Sequence, residues 1–94
     1  MGSAVYYLYV LRSQRDGMLY TGITNDLSRR MREHRTGRTR SLRSRRPLVL
    51  AYLEVYPTRR EAAARERFFK TPKGGALKQQ LAASLTPDAG SEIE

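Results

Sequence analysis

Glu66 is a carboxylate on an unexpected face. At helical spacing Ala62, Glu66 and Phe69 occupy i, i+4 and i+7, so the acid shares a stripe with two apolar residues. An unpaired charge there is expensive, and Glu66 therefore requires a partner: a salt bridge to Arg30 or another Arg, or a metal ion. Arg30 has a matching ambiguity. Leu27, Arg30, Met31 and His34 fall at i, i+3, i+4 and i+7 of a second stripe. A guanidinium beside the core either braces a carboxylate or clamps a phosphate through its two-pronged geometry. His34, the only histidine, is either a general acid or base near neutral pH or a packing residue at a helix end. Tyr9 and Tyr20 lie in two strand-like segments. Each is either core with a hydrogen-bonded hydroxyl or, beside cations that depress its pKa, a group that orients or deprotonates water.

Charge sets the class of partner. The chain of 94 residues carries 18 Lys plus Arg against 9 Asp plus Glu, a formal net charge of +9, and 15 of the 18 bases are Arg. Nine Arg and one Glu fall between Arg29 and Arg46, too dense a charge for a surface without a polyanion to relieve it. Arg29, Arg38, Arg40, Arg43, Arg45, Arg46 and, further on, Lys70 are the candidate nucleic-acid contacts. They grip backbone; base readout does not follow from them. With no Cys, disulfides, thiolate zinc sites and thiol nucleophiles are excluded, and a reducing compartment fits. No apolar run approaches the roughly 20 residues that span a bilayer, and no signal region opens the chain. A cytoplasmic protein with no membrane partner is expected. No phosphate-cradling Gly loop, zinc cluster or Ser-His-Asp set is present, and Lys73-Gly74-Gly75 reads as a turn.

The elements that must position these residues follow from periodicity and punctuation. Val5 to Leu11 reads as a strand buried on both faces, and Met18 to Ile23 as its antiparallel partner. With Asp16-Gly17 as a two-residue turn, the numbers of paired residues sum to 33, which puts Tyr9, Leu11, Tyr20 and Gly22 on one face. Asn25 or Asp26 caps a helix from Leu27 to about Arg35, with Gly37 just past its end. Thr36 to Arg46 is too polar for an independent element and reads as a basic loop. Leu48 to Tyr56 is a third strand, and Thr58 caps a second helix through Lys70. Thr71-Pro72 breaks that helix, and a short third helix around Ala76 to Leu85 docks through Leu77, Leu81 and Leu85. One domain, 1–85, and a disordered acidic tail, 86–94, are expected.

Tyr7-Leu8-Tyr9, then Tyr20-Thr21-Gly22, then Asn25-Asp26-Leu27-Ser28-Arg29-Arg30 with His34, resembles the GIY-YIG nuclease domain. With the later Ala62, Glu66 and Lys70 the pattern is similar to the small stand-alone bacterial UPF0213 group. The likeness covers about residues 5 to 83. It departs from the family name at Tyr7-Leu8, for Gly-Ile, and at Thr21, for Ile or Val. The resemblance implies an α/β (α+β) domain, a three-stranded antiparallel sheet flanked by helices, and a phosphodiesterase using one Mg²⁺ or Mn²⁺. Tyr9 and Tyr20 match the two motif tyrosines, of which one activates water. Arg30 matches the helix arginine, Glu66 the lone metal-binding glutamate, and His34 a position held by His or Tyr. The function so implied is a metal-dependent DNA endonuclease in repair or processing, with a partner protein for targeting. The alternative is a non-catalytic module for DNA or RNA on the same fold. The oligomeric state is not readable.

Overall fold

The computed structural model describes residues 5–84. Leu85 and the acidic segment 86–94 lie outside the described residues. The order is β1 (Tyr6–Ser13), β2 (Leu19–Thr24), α1 (Leu27–Arg35), a short 3-10 helix (Arg40–Arg45), β3 (Leu48–Tyr56), α2 (Arg59–Phe69) and α3 (Pro72–Ser84). The three strands form one antiparallel sheet in the order β2-β1-β3, the architecture expected from the sequence. β1 is central. Its Leu8, Tyr9, Val10 and Leu11 are all buried, as a strand covered on both faces requires.

The sheet separates two apolar clusters. On one face Tyr9, Leu11, Leu42 and Leu48 pack with Leu27 and Met31 of α1; on the other Leu8, Val10 and Phe69 pack with Leu77 and Leu81. β3 serves both through a bulge. Leu11 pairs with Leu50 but Val10 pairs with Tyr52, so Ala51 is the extra residue and the facing of side chains inverts there. Leu48 and Leu50 thus join the α1 side, and Tyr52 and Tyr56 the α2 side.

Three expectations need correction. The hairpin is slipped by two residues from the expected register: Tyr9 faces Gly22 and Leu11 faces Tyr20. The cause is Ser13, fully buried, whose hydroxyl receives Arg15 N–H and Asp16 N–H while its carbonyl receives Gly17 N–H at 2.8 Å. These bonds widen the turn, with Gly17 at φ +75°. A slip of two preserves facing, so Tyr9, Leu11, Tyr20 and Gly22 do share a side. Second, the basic segment is not a bare loop: the 3-10 helix is pinned by Leu42, 6% exposed, in the cluster with Tyr9 and Leu11. Third, Pro72 does not merely break α2; it opens α3. Thr71 caps that helix through Gly74 N–H at 3.0 Å, and Pro at the first helical position has no N–H to waste. Gly74 and Gly75 are therefore helical, and a Cβ on Gly74 would collide with the Phe68 carbonyl oxygen.

Candidate active site

Tyr9 is the hub. Its ring lies over Gly22, where a Cβ would collide with the phenol, so the glycine creates the space that Tyr9 fills. The Tyr9 hydroxyl sits 2.8 Å from His34 Nε2 and receives Arg30 Nε–H at 3.3 Å. His34, 2% exposed, places Nδ1 2.7 Å from Thr39 Oγ1. Burial, then the charge of Arg30, push the His34 pKa from 6.5 down to about 4, so the imidazole is neutral at pH 7. In the tautomer with Nε2 unprotonated, Tyr9 O–H donates to Nε2 and Nδ1–H donates to Thr39; the other tautomer reverses both bonds. Burial raises the Tyr9 pKa, against the opposing hydrogen bond and charge of Arg30.

The sequence stripes bring these groups together. Asp26 caps α1 through Arg29 N–H, and the Leu27, Arg30, Met31, His34 face turns to the sheet. The outer nitrogen of Arg30 pairs with Glu33 Oε1 at 2.7 Å, which holds the Glu33 carboxyl below its usual range. Glu66 does not meet Arg30. Its carboxylate is 3.7 Å from Lys70 Nζ, one helical turn on, and its side chain is 23% exposed. The rotation of α2 is set by the neighbouring Arg65, which donates two hydrogen bonds to Glu54 at 3.1 Å and lies over the Phe69 ring at 4.6 Å. Tyr52 and Tyr56 also donate to Glu54, each at 2.6 Å. With Arg65 fixed there, Glu66 turns to a groove of about 590 Å³.

That groove lies along β2, one of the two edge strands, whose residues Leu19 to Ile23 all line it, and helices from both sides of the sheet meet there. Tyr9, Tyr20, Arg30, His34, Glu66 and Lys70 all reach it. Tyr20 makes no side-chain hydrogen bond among the described residues, so its hydroxyl is open to a ligand. The groove also holds Arg59 and Lys78, which sequence reasoning missed. Arg59 was findable, since Arg59, Ala63, Glu66 and Lys70 form the α2 stripe that faces the groove. Lys78 was not. It arrives on α3 from 57 residues away to donate to Thr21 Oγ1 at 3.1 Å, and no local pattern carries that.

The Arg candidates divide. Arg43 donates to the Gly37 carbonyl at 2.8 Å, Arg46 to the Arg43 and Arg35 carbonyls at 3.0 Å, and Arg45 pairs with Asp16 at 2.9 Å. These three tie their own segment down. Arg29 lies 3.9 Å from Glu33, whereas Arg38 and Arg40 are exposed and make no ion pair among the described residues. Nor do three His, Asp or Glu side chains cluster among the described residues. A cation here would have Glu66 as its single protein carboxylate and complete its shell with water and ligand oxygens. That donor set fits Mg²⁺, which binds through one or two carboxylates and retains waters. No helix among the described residues is long and apolar enough to cross a membrane.

Comparison with known proteins gives the family. The family model for the GIY-YIG catalytic domain matches residues 5–78, a span that holds every groove residue named above. A UPF0213 protein of Bacillus pumilus is 46% identical over 67 residues, covering 70% of this chain and 67% of the relative. One from Streptococcus agalactiae is 43% identical over 65 residues, covering 68% and 73%. Among solved structures, the solution NMR structure of a UPF0213 protein from Bacillus halodurans is similar, with a TM-score of 0.55, 29% identity and 89% of each chain covered. With Tyr9 and Gly22 interlocked on paired strands, Arg30 and His34 on the following helix and Glu66 on the next, the chain belongs to the GIY-YIG family of nucleases, in its UPF0213 group.

Proposed function

We propose that this chain is a divalent-metal-dependent phosphodiesterase acting on nucleic acid, DNA first of all, in repair or processing within the cytoplasm. The observation that carries the reading is the convergence of Tyr9, Arg30, His34 and Glu66 on one groove with a cationic rim. When bound, the divalent ion supplies Lewis acidity at the scissile phosphate. Glu66 would hold it. Arg30, kept in place by Glu33 and the Tyr9 oxygen, neutralises charge that develops on the phosphoryl oxygens. Tyr20, with its hydroxyl open, orients the water. Tyr9 relays the proton: its oxygen accepts the water proton while its own O–H proton passes to His34 Nε2. His34 is a weak base in the free chain, and the negative charge of a phosphate in the groove raises its proton affinity. Arg29, Arg38 and Arg40 meet flanking backbone.

The test is scission of supercoiled, single-stranded and branched DNA with Mg²⁺, Mn²⁺ or EDTA, by the wild type and by Glu66→Gln. The expected result is metal-dependent scission that Glu66→Gln reduces at least 10²-fold, with DNA affinity within about twofold of the wild type. Scission retained by the pure variant would sink the assignment. Binding without scission on any substrate would favour the non-catalytic module or an enzyme completed by a partner protein.

A further inference from the structure

Lys78 is a cation without an anion. It is half-buried and, among the described residues, forms no ion pair; its ammonium donates only to the Thr21 hydroxyl. Burial, and then the like charge of Lys70, hold its pKa below the usual lysine range, so both ammoniums bear on one region of the groove. The placement is built rather than incidental. Leu77 and Leu81, on either side of Lys78 along α3, pack into the core, and the close approach at Gly74 seats the helix against the end of α2. Lys78 stands on the opposite sheet face from Arg30, across β2, so a ligand filling the groove meets cations from both walls.

The geometry points to a second phosphate subsite, formed by Lys78, Lys70 and Thr21, that holds a backbone phosphate neighbouring the one presented to Arg30 and Glu66. The substrate class is thereby narrowed to a polynucleotide engaged through at least two phosphates, rather than an isolated phosphodiester. This rests on the nucleic-acid reading above, and its test needs no catalysis.

The full chain is titrated into fluorescein-labelled 12-nucleotide single-stranded and duplex DNA in EDTA, across a salt series, as wild type, Lys78→Met, Lys78→Arg and Lys73→Met. Lys73 is an exposed residue of the first turn of α3 and serves as the charge-matched control. One lost phosphate contact removes about 0.7 to 0.9 from the slope of log K against log salt, which at 0.1 M relative to 1 M is about five- to eightfold in affinity. Lys78→Met is expected to show that loss, Lys78→Arg to recover most of it, and Lys73→Met to stay within twofold. Single methylphosphonate linkages then locate the contact. In the wild type one neutral linkage weakens binding, and in Lys78→Met that linkage no longer matters. Equal behaviour of Lys78→Met and Lys73→Met, or coupling spread evenly over all linkages, would overturn the subsite. Absence of DNA binding by the wild type overturns it together with the nucleic-acid reading. Binding without scission in the Mg²⁺ or Mn²⁺ assay above bears on the catalytic reading alone and leaves the subsite standing.

Discussion

Tyr9, His34, Arg30 and Thr39 share one hydrogen-bond chain, so the protonation of His34 is felt by all four. A protonated imidazole would donate from both nitrogens and leave the Tyr9 proton without its acceptor. With a pKa near 6.5 when unfolded and about 4 when folded, the unfolded chain takes up the proton first. The stabilisation held by neutral His34 is therefore complete above pH 6.5 and is lost as pH falls towards 4. About 2 kcal/mol should disappear between pH 6.5 and 5. The lowered carboxyls of Glu54, Glu33 and Asp16, whose ordinary values are 4.5, 4.5 and 3.8, contribute chiefly below that window. Denaturant unfolding as a function of pH checks this: His34→Gln should flatten the slope between pH 6.5 and 5, and an unchanged slope would refute it. Arg30, His34 and Glu66 were legible in the sequence as polar residues breaking apolar stripes, and Tyr9 through the hairpin face it shares with Tyr20. The partner of Glu66 was not: the sequence offered Arg30, another Arg or a metal ion, and the packing of α1 and α2 places Lys70 beside it instead.

Among the elements, β1, α1, β3 and α2 were legible because cap, apolar period and terminator agree for each. α3 was misread at its start because Lys73-Gly74-Gly75 carries the composition of a turn. The two glycines have different reasons to be there. A methyl on Gly74 meets the Phe68 carbonyl, whereas on Gly75 the nearest atom, the Phe69 carbonyl oxygen, is 3.7 Å away, an ordinary contact. Gly75→Ala should therefore stabilise by about 0.5 to 1 kcal/mol through the helix-interior advantage of Ala. Gly74→Ala should destabilise by about 1 to 3 kcal/mol through overpacking. Thermal unfolding of both separates them, and shifts of the same sign would show the α2–α3 junction to be looser than described. The basic segment was misread for a related reason. One leucine among five arginines is a faint signal, yet Leu42 docks the 3-10 helix in the core, the Ser13 hydroxyl donates to the Arg45 carbonyl at 2.7 Å, and the Gly37 and Arg43 carbonyls are met by the segment's own arginine side chains.

Over the whole molecule, a formal charge of +9 makes approach to a polyanion a long-range event. Stopped-flow association with labelled DNA should slow by about tenfold or more between 0.05 and 0.3 M salt, while a dissociation rate set by the groove changes less. A salt-independent association rate would mean that the charge is not presented to the ligand as one field. The residues that could have blurred that field are in fact fixed. Held by Leu42 in the core and by Arg43 and Arg46 on backbone carbonyls, the arginine segment is already in shape before a ligand arrives. Complex formation then carries little cost in chain entropy, so its heat-capacity change should stay close to that of rigid surfaces meeting, without the large negative value of a segment that folds on contact.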